Sequence, residues 1–221
     1  MAFASNFGRI LSPTFQPNSQ AMLGGWWLAG GIPASNCIAA YQSKGAASYT
    51  ASKVNLANPG KYDAAEGTAP DWDATNGWTF DGSTQYLTTG ITPVNNQTWS
   101  FISRYSDTTN QGGFTIGSFN ERYVGIQPVR SDNTVGYWSG GPACVAPSLT
   151  AGILCVAGSK GYRNGSFDGN IEFQSGLFAA LNIGRASLTY QYAGKIQAIA
   201  IYNATLTTSQ ISALTTAMNE L

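Results

Sequence analysis

Gly77-Trp78-Thr79-Phe80-Asp81-Gly82-Ser83-Thr84-Gln85-Tyr86-Leu87 is the stretch that decides the fold. Trp78-Thr79-Phe80 has the aromatic and β-branched character of a strand. It stops at Asp81-Gly82, a turn dipeptide, and Gln85-Tyr86-Leu87-Thr88 begins a second strand. The same pattern recurs downstream. Residues 98–105 alternate, with Trp99, Phe101 and Tyr105 on one face and Thr98, Ser100 and Arg104 on the other, the period of a half-buried strand. Residues 114–117, 123–127 and 134–138 read as further strands, with a turn over 110–113. Ile153-Leu154-Cys155-Val156-Ala157 is a continuous apolar run, as expected of a strand buried on both faces. Asn164-Gly165 between Tyr162-Arg163 and Ser166-Phe167 predicts a hairpin with a two-residue type I′ turn. Residues 181–183 and 195–202 supply the last strands.

The chain end is helical. Thr207 and Gln210 have the spacing of a capping box, Leu206 and Ile211 that of a hydrophobic staple, and Ile211, Leu214 and Met218 fall on one helix face. Upstream of the deciding stretch the signal is thinner. Trp26-Trp27-Leu28 between glycine pairs reads as a short apolar strand or turn, and residues 37–41 as a short strand. Residues 42–76 are rich in Ala, Ser, Asn, Gly and Pro and read as a long irregular stretch with one short element near 49–54. Residues 1–20 read as an extended arm: Pro13 and Pro17 oppose a helix, while Phe3, Phe7, Ile10, Leu11 and Phe15 want a surface to lie on. Residues 21–221 form the domain. Many short strands closed by one amphipathic helix predict an antiparallel sandwich with a helix on its flank.

Composition narrows the function. Only 10% of the 221 residues are charged, against roughly 25% in an average domain. Lys plus Arg balances Asp plus Glu at 11 each, and no basic run follows a phosphate backbone, which argues against nucleic-acid binding. The absence of His removes the commonest general base and zinc ligand. Cys37, Cys144 and Cys155 lack metal-site spacing and read as reduced thiols, Cys155 in the core; a Cys37–Cys144 disulfide is the minor alternative. No signal peptide and no membrane-spanning apolar run is visible, so synthesis and folding in the cytoplasm are expected.

The strand–turn–strand of residues 77–87 resembles the opening of laminin-G-like domains of the concanavalin A-like lectin/glucanase superfamily. Tyr162-Arg163-Asn164-Gly165 is similar to that family's conserved hairpin, Leu181-Asn182-Ile183-Gly184 to its following strand, and Ala193-Gly194-Lys195-Ile196 through Thr207 to its closing pattern. The resemblance covers residues 77–221 and implies an all-β, two-sheet antiparallel jelly-roll sandwich with a short C-terminal helix. Residues 38–47 and 55–63 resemble the lead-in of laminin-G-like proteins of tailed phages, which implies a virion-surface role as a capsid decoration, fibre or tail adhesin.

Some superfamily members hydrolyse glycosides with paired carboxylates on one strand. Asp71-Trp72-Asp73 has the alternate spacing but sits in what reads as a Pro/Asn/Gly-rich loop, and no predicted strand carries the motif. Other members bind calcium. Asp107, Asp132 and Asp168 lie in predicted turns, where Asp is favoured for turn formation itself, so calcium is possible but no metal residue and no cofactor is assigned. Asn96, Asn164 and Asn203 begin glycosylation-type triplets and read as turn residues. Sugar binding needs aromatic faces beside hydrogen-bonding groups. Trp138 and Tyr137, next to what reads as a flexible turn at Ser139-Gly140-Gly141, are the first candidates, joined by Trp72, Arg122, Tyr123 and Arg130. The alternative reading of these aromatics is sheet core or subunit interface, though Tyr137 and Trp138 cannot both face inward on a regular strand.

The first expectation is therefore a non-enzymatic structural protein of a virion surface. It assembles through its arm as a homo-oligomer or with other virion proteins, with cell-surface glycans as further partners and neither nucleic acid nor membrane among them. The second is a free carbohydrate-binding, lectin-like module. A glycoside hydrolase is a distant third.

Overall fold

The computed structural model describes residues 25–94 and 98–221. The proposed arm, with Phe3, Phe7, Ile10, Leu11 and Phe15, lies outside the described residues, as does Asn96.

Two antiparallel sheets face one another. One contains β1 (Cys37–Gln42), β3 (Asp71–Asp73), β4 (Gly77–Asp81), β6 (Ser100–Ser106), β10 (Gly152–Ala157), β11 (Lys160–Arg163), β12 (Ser166–Asn170) and β14 (Ala193–Tyr202). Its order is β12-β11-β10-β6-β14-β4-β3, and β1 pairs with the second half of β14 beyond β4. The other contains β2 (Ala65–Thr68), β5 (Tyr86–Thr88), β7 (Ile116–Phe119), β8 (Tyr123–Gln127), β9 (Val135–Val145) and β13 (Asn182–Ile183), in the order β2-β5-β13-β7-β8-β9. This is the expected jelly-roll sandwich. Phe80, Phe101, Tyr105, Leu154 and Ile199 from the first sheet meet Leu87, Ile116, Val124, Ile126 and Tyr137 from the second.

A second core lies on the outer face of the eight-stranded sheet. There the C-terminal helix α2 (Thr208–Asn219, so numbered because the short α1 spans Tyr49–Ser52) places Ile211, Leu214 and Met218 over Ile102, Cys155, Ala198 and Ala200. Trp26, in a short 3₁₀ turn over Trp26–Leu28, joins this layer. The capping box forms as expected: the Thr207 hydroxyl accepts from the Gln210 N–H, and the Gln210 side chain accepts from the Thr207 N–H.

Three sequence expectations are corrected. Residues 98–105 were expected to be half-buried, but β6 is covered on both faces, because α2 lies over it and Arg104 reaches the terminal carbonyls of Met218 and Leu221. The stretch 42–76 is not irregular throughout: it contains α1, β2 and β3, and Asp71-Trp72-Asp73 is a strand, not a loop. Ser139-Gly140-Gly141 lies within β9 rather than in a turn. Cys37, Cys144 and Cys155 are free thiols, Cys37 and Cys155 buried and Cys144 exposed, so the minor disulfide alternative falls away. The Asn164-Gly165 turn is as expected, with φ of 48° and 84°, the left-handed pair a type I′ turn requires.

Candidate functional site

The outer face of the six-stranded sheet carries the site. On β8, Val124 and Ile126 point into the core, so Tyr123 and Gln127 point out. On β9, Val135 and Tyr137 point in, and Gly136 and Trp138 point out. Tyr123 and Trp138 meet edge to face, centroids 5.3 Å apart. Gly136 makes the geometry possible. A Cβ there would lie 2.6 Å from Trp138 Nε1 and 3.0 Å from both Arg130 Cδ and Gln127 Oε1, so the indole lies over bare backbone.

Two further aromatics complete a wall. Phe114, ahead of β7, stacks on Tyr123 at 5.8 Å and meets Trp138 at 6.1 Å. Tyr190 closes a tight turn in which the Ala186 N–H donates to the Tyr190 carbonyl, and its ring stands perpendicular to that of Tyr123, centroids 5.3 Å apart. Burial and the neighbouring Tyr190 push the Tyr123 phenol above its ordinary range, so it stays a neutral hydroxyl shared with Ser187 and Tyr190. Gln127 is held at both ends, accepting from Trp138 Nε1 at 3.2 Å and donating to the Gly112 carbonyl at 2.7 Å. Arg130 lies over the indole, its guanidinium carbon 5.4 Å from the ring centroid.

Together Gln111, Phe114, Tyr123, Gln127, Arg130, Trp138 and Tyr190 line most of a groove of about 450 Å³, within the range of small-ligand pockets. Among the described residues it presents π-faces, amides, hydroxyls and one guanidinium, and no carboxylate. Such a surface is complementary to a hydroxylated ligand having an apolar face.

The structure separates the sequence candidates. Trp138, Tyr123 and Arg130 converge on the groove. Tyr137 is corrected: it is fully buried on the opposite face of β9, and its hydroxyl donates to Asp168 Oδ2 at 2.8 Å, so it cannot touch a ligand in the groove. Trp72 is also elsewhere. It sits on the terminal strand β3, packed on the inter-sheet core with its indole donating to the Ser43 carbonyl at 2.8 Å. Because β2 runs almost directly into β3 and lies at the end of its sheet opposite β9, Trp72 and Trp138 occupy opposite sides of the sandwich. Arg122 is exposed at the corner before β8, beside Gly176, and does not line the groove. Phe114, Gln127 and Tyr190 were missed. Gln127 carried a usable signal, an amide three residues before the candidate Arg130; Tyr190 arrives from a distant turn.

The candidate calcium residues have other partners. Asp107 pairs with Lys195 at 2.8 Å, Asp132 with Arg130 and Thr134, and Asp168 with Tyr137 and Arg163; it lies on β12 rather than in a turn. Among the described residues no three acidic or Cys side chains are grouped to hold a metal ion. Asp71 and Asp73 are exposed on β3, and the Asp73 carboxylate closes a turn by accepting from the N–H groups of Thr75 and Asn76.

No family model matches the chain, and no curated protein matches it in sequence. Solved structures do. Trypanosoma rangeli sialidase aligns over 85% of this chain and 34% of its own, with TM-score 0.60 and 12% identity. The same sialidase bound to 2,3-difluoro-KDN aligns over 95% and 36%, with TM-score 0.59 and 12% identity. A structure of botulinum neurotoxin type C, described as entering cells through interaction with two ganglioside molecules, aligns over 84% and 52%, with TM-score 0.56 and 12% identity. The chain thus spans about a third of the sialidase and half of the toxin chain. At this identity the likeness shows the sandwich fold alone.

Proposed function

We propose that this chain is a non-enzymatic glycan-binding β-sandwich and that the groove on the outer face of the six-stranded sheet is its site. The observation that carries the reading is the convergence of Phe114, Tyr123, Trp138 and Tyr190 with Gln127 and Arg130 around a groove lined by no carboxylate among the described residues. Pyranose rings have one apolar C–H face and a rim of hydroxyls, and this groove offers the complement of both. The ganglioside interaction of the toxin that shares the fold supports the same reading. The test is a glycan array followed by calorimetry on the best binder. Trp138→Ala should weaken binding at least tenfold, about 1.4 kcal/mol, while Arg122→Ala, outside the groove, leaves it unchanged. Equal binding by wild type and Trp138→Ala overturns the assignment.

The finer reading sets this module on a virion surface, anchored by residues 1–20. It rests on the phage-like lead-in at residues 38–47 and 55–63 and on the apolar residues of the arm. Light scattering of the full chain and of a chain lacking residues 1–20 tests it. An assembly of three or more copies that falls to monomers on truncation is the expected result; two equally stable monomers would remove its support.

A further inference from the structure

Among the described residues Arg130 is the only charged side chain that lines the groove, and its surroundings give it an unfinished set of partners. It opens a tight turn: the Arg130 N–H donates to the Thr134 carbonyl at 2.9 Å, and the Asn133 N–H donates to the Arg130 carbonyl at 3.1 Å. The turn aims the guanidinium between two neighbours. On one side lies the Trp138 ring. On the other, Nε and Nη2 reach Asp132 through contacts of 3.3 to 3.4 Å, at the long limit for a charge-assisted bond. Asp132 is bound more closely by Thr134, whose hydroxyl donates to Oδ1 at 2.6 Å, and that hydroxyl leads the groups holding its carboxyl below the usual range. Nη1 makes no hydrogen bond within the described residues. The guanidinium is thus placed by stacking and a loose ion pair, and it keeps unused donor capacity beside an aromatic wall.

We infer that the groove selects sugars carrying an anionic substituent, a carboxylate or a sulfate, seated against Arg130 while the pyranose ring lies on the aromatic wall. This inference rests on the glycan-binding reading above and specifies the substrate class of that same site. An anion held by a fork of guanidinium donors in a partly desolvated groove is favoured. Asp132, which does not line the groove, offsets part of the guanidinium's charge from 3.3 Å, and the open Nη1 is the donor left for the ligand.

The experiment uses the full chain on an array of uronic-acid, sialic-acid and sulfated glycans, each beside its carboxyl-reduced or desulfated counterpart. The expected result is at least tenfold tighter binding of the anionic member of a pair. That preference should disappear in Arg130→Gln, fall only in part in Arg130→Lys, which keeps the charge but not the fork, and weaken as salt is raised from 50 to 300 mM. Circular dichroism of Arg130→Gln confirms that the sandwich is intact. Carboxylated and sulfated pairs report separately which anion is preferred. Equal binding of charged and neutral members, or a preference that survives Arg130→Gln, overturns the inference and leaves glycan binding standing. Binding to no member of the array overturns both.

Discussion

Tyr137 and Trp138 are neighbours in the chain with opposite fates, and the difference is the pleat of the strand. Successive side chains leave a strand on opposite faces, so one of the two had to point outward. Which one depends on residues far away. The Tyr137 hydroxyl finds Asp168, 31 positions on, and that carboxylate also accepts from Arg163 Nε at 2.9 Å. Trp138 finds the bare backbone of Gly136 and the amide of Gln127. Tyr137→Phe removes one hydrogen bond but leaves Asp168 its guanidinium. It should therefore destabilise by about 1 kcal/mol in urea unfolding and leave glycan affinity unchanged. A loss of affinity comparable to that of Trp138→Ala would place both side chains in one site and refute this assignment of faces. The alternation was legible in the sequence because it is local. The choice of face was not, because Asp168 approaches through the hairpin of β11 and β12.

The elements divide along the same line between local and distant causes. The helix start at Thr207, the Asn164-Gly165 turn and the apolar run of β10 are written in adjacent residues, and the structure contains each of them. The length of β9 is not written that way. Gly140 and Gly141 read as a turn because glycine usually ends a strand. Here Gly140 pairs with Tyr123 and bridges to Phe173, and a Cβ on it would lie 1.8 Å from the Gln174 carbonyl oxygen. The glycine lets a crossing backbone approach, and it takes a left-handed φ of 86° within the strand. Strand β6 was misjudged for a related reason: its outer face belongs to α2, more than a hundred residues later, so the alternation that predicts solvent on one side meets a helix instead. Strands β2 and β3 are short, exposed sheet ends whose pattern is too brief to read before their partners β5 and β4 are known.

At the scale of the whole molecule, the sandwich and its flanking helix followed from periodicity. The groove did not, because it joins β8, β9, the segment before β7 and the turn after β13, which only the folded sheet brings together. The distribution of titratable groups has an equally global consequence. The chain has no His, so no side chain of its composition ordinarily titrates between about pH 5 and 8. Perturbed groups lie at the two ends of the scale. Burial alone would raise Asp81, but the N–H groups of Ser83, Thr84 and Gln85 and the Thr84 hydroxyl hold its carboxyl well below the usual range. Its contribution is therefore complete above an unfolded value of about 4 and is lost as pH falls through the lower folded value. Tyr41, Tyr105, Tyr137, Tyr192 and Tyr202 are shifted the other way, burial pushing each phenol above its ordinary value, and burial pushes the Cys37 thiol up to about 12. For these groups the unfolded chain ionises first, so stability is complete below the unfolded values, about 8.5 for the thiol and 10 for the phenols, and is lost as pH rises beyond them. Urea midpoints measured from pH 3 to 11 should therefore trace a plateau between about 5 and 8, with an acid limb below 4 and a steeper alkaline limb near 10, where the raised phenols act together. A pronounced slope between pH 6 and 8 would contradict this distribution of charge, and an alkaline limb missing at pH 11 would mean that the tyrosines are not buried in the folded chain.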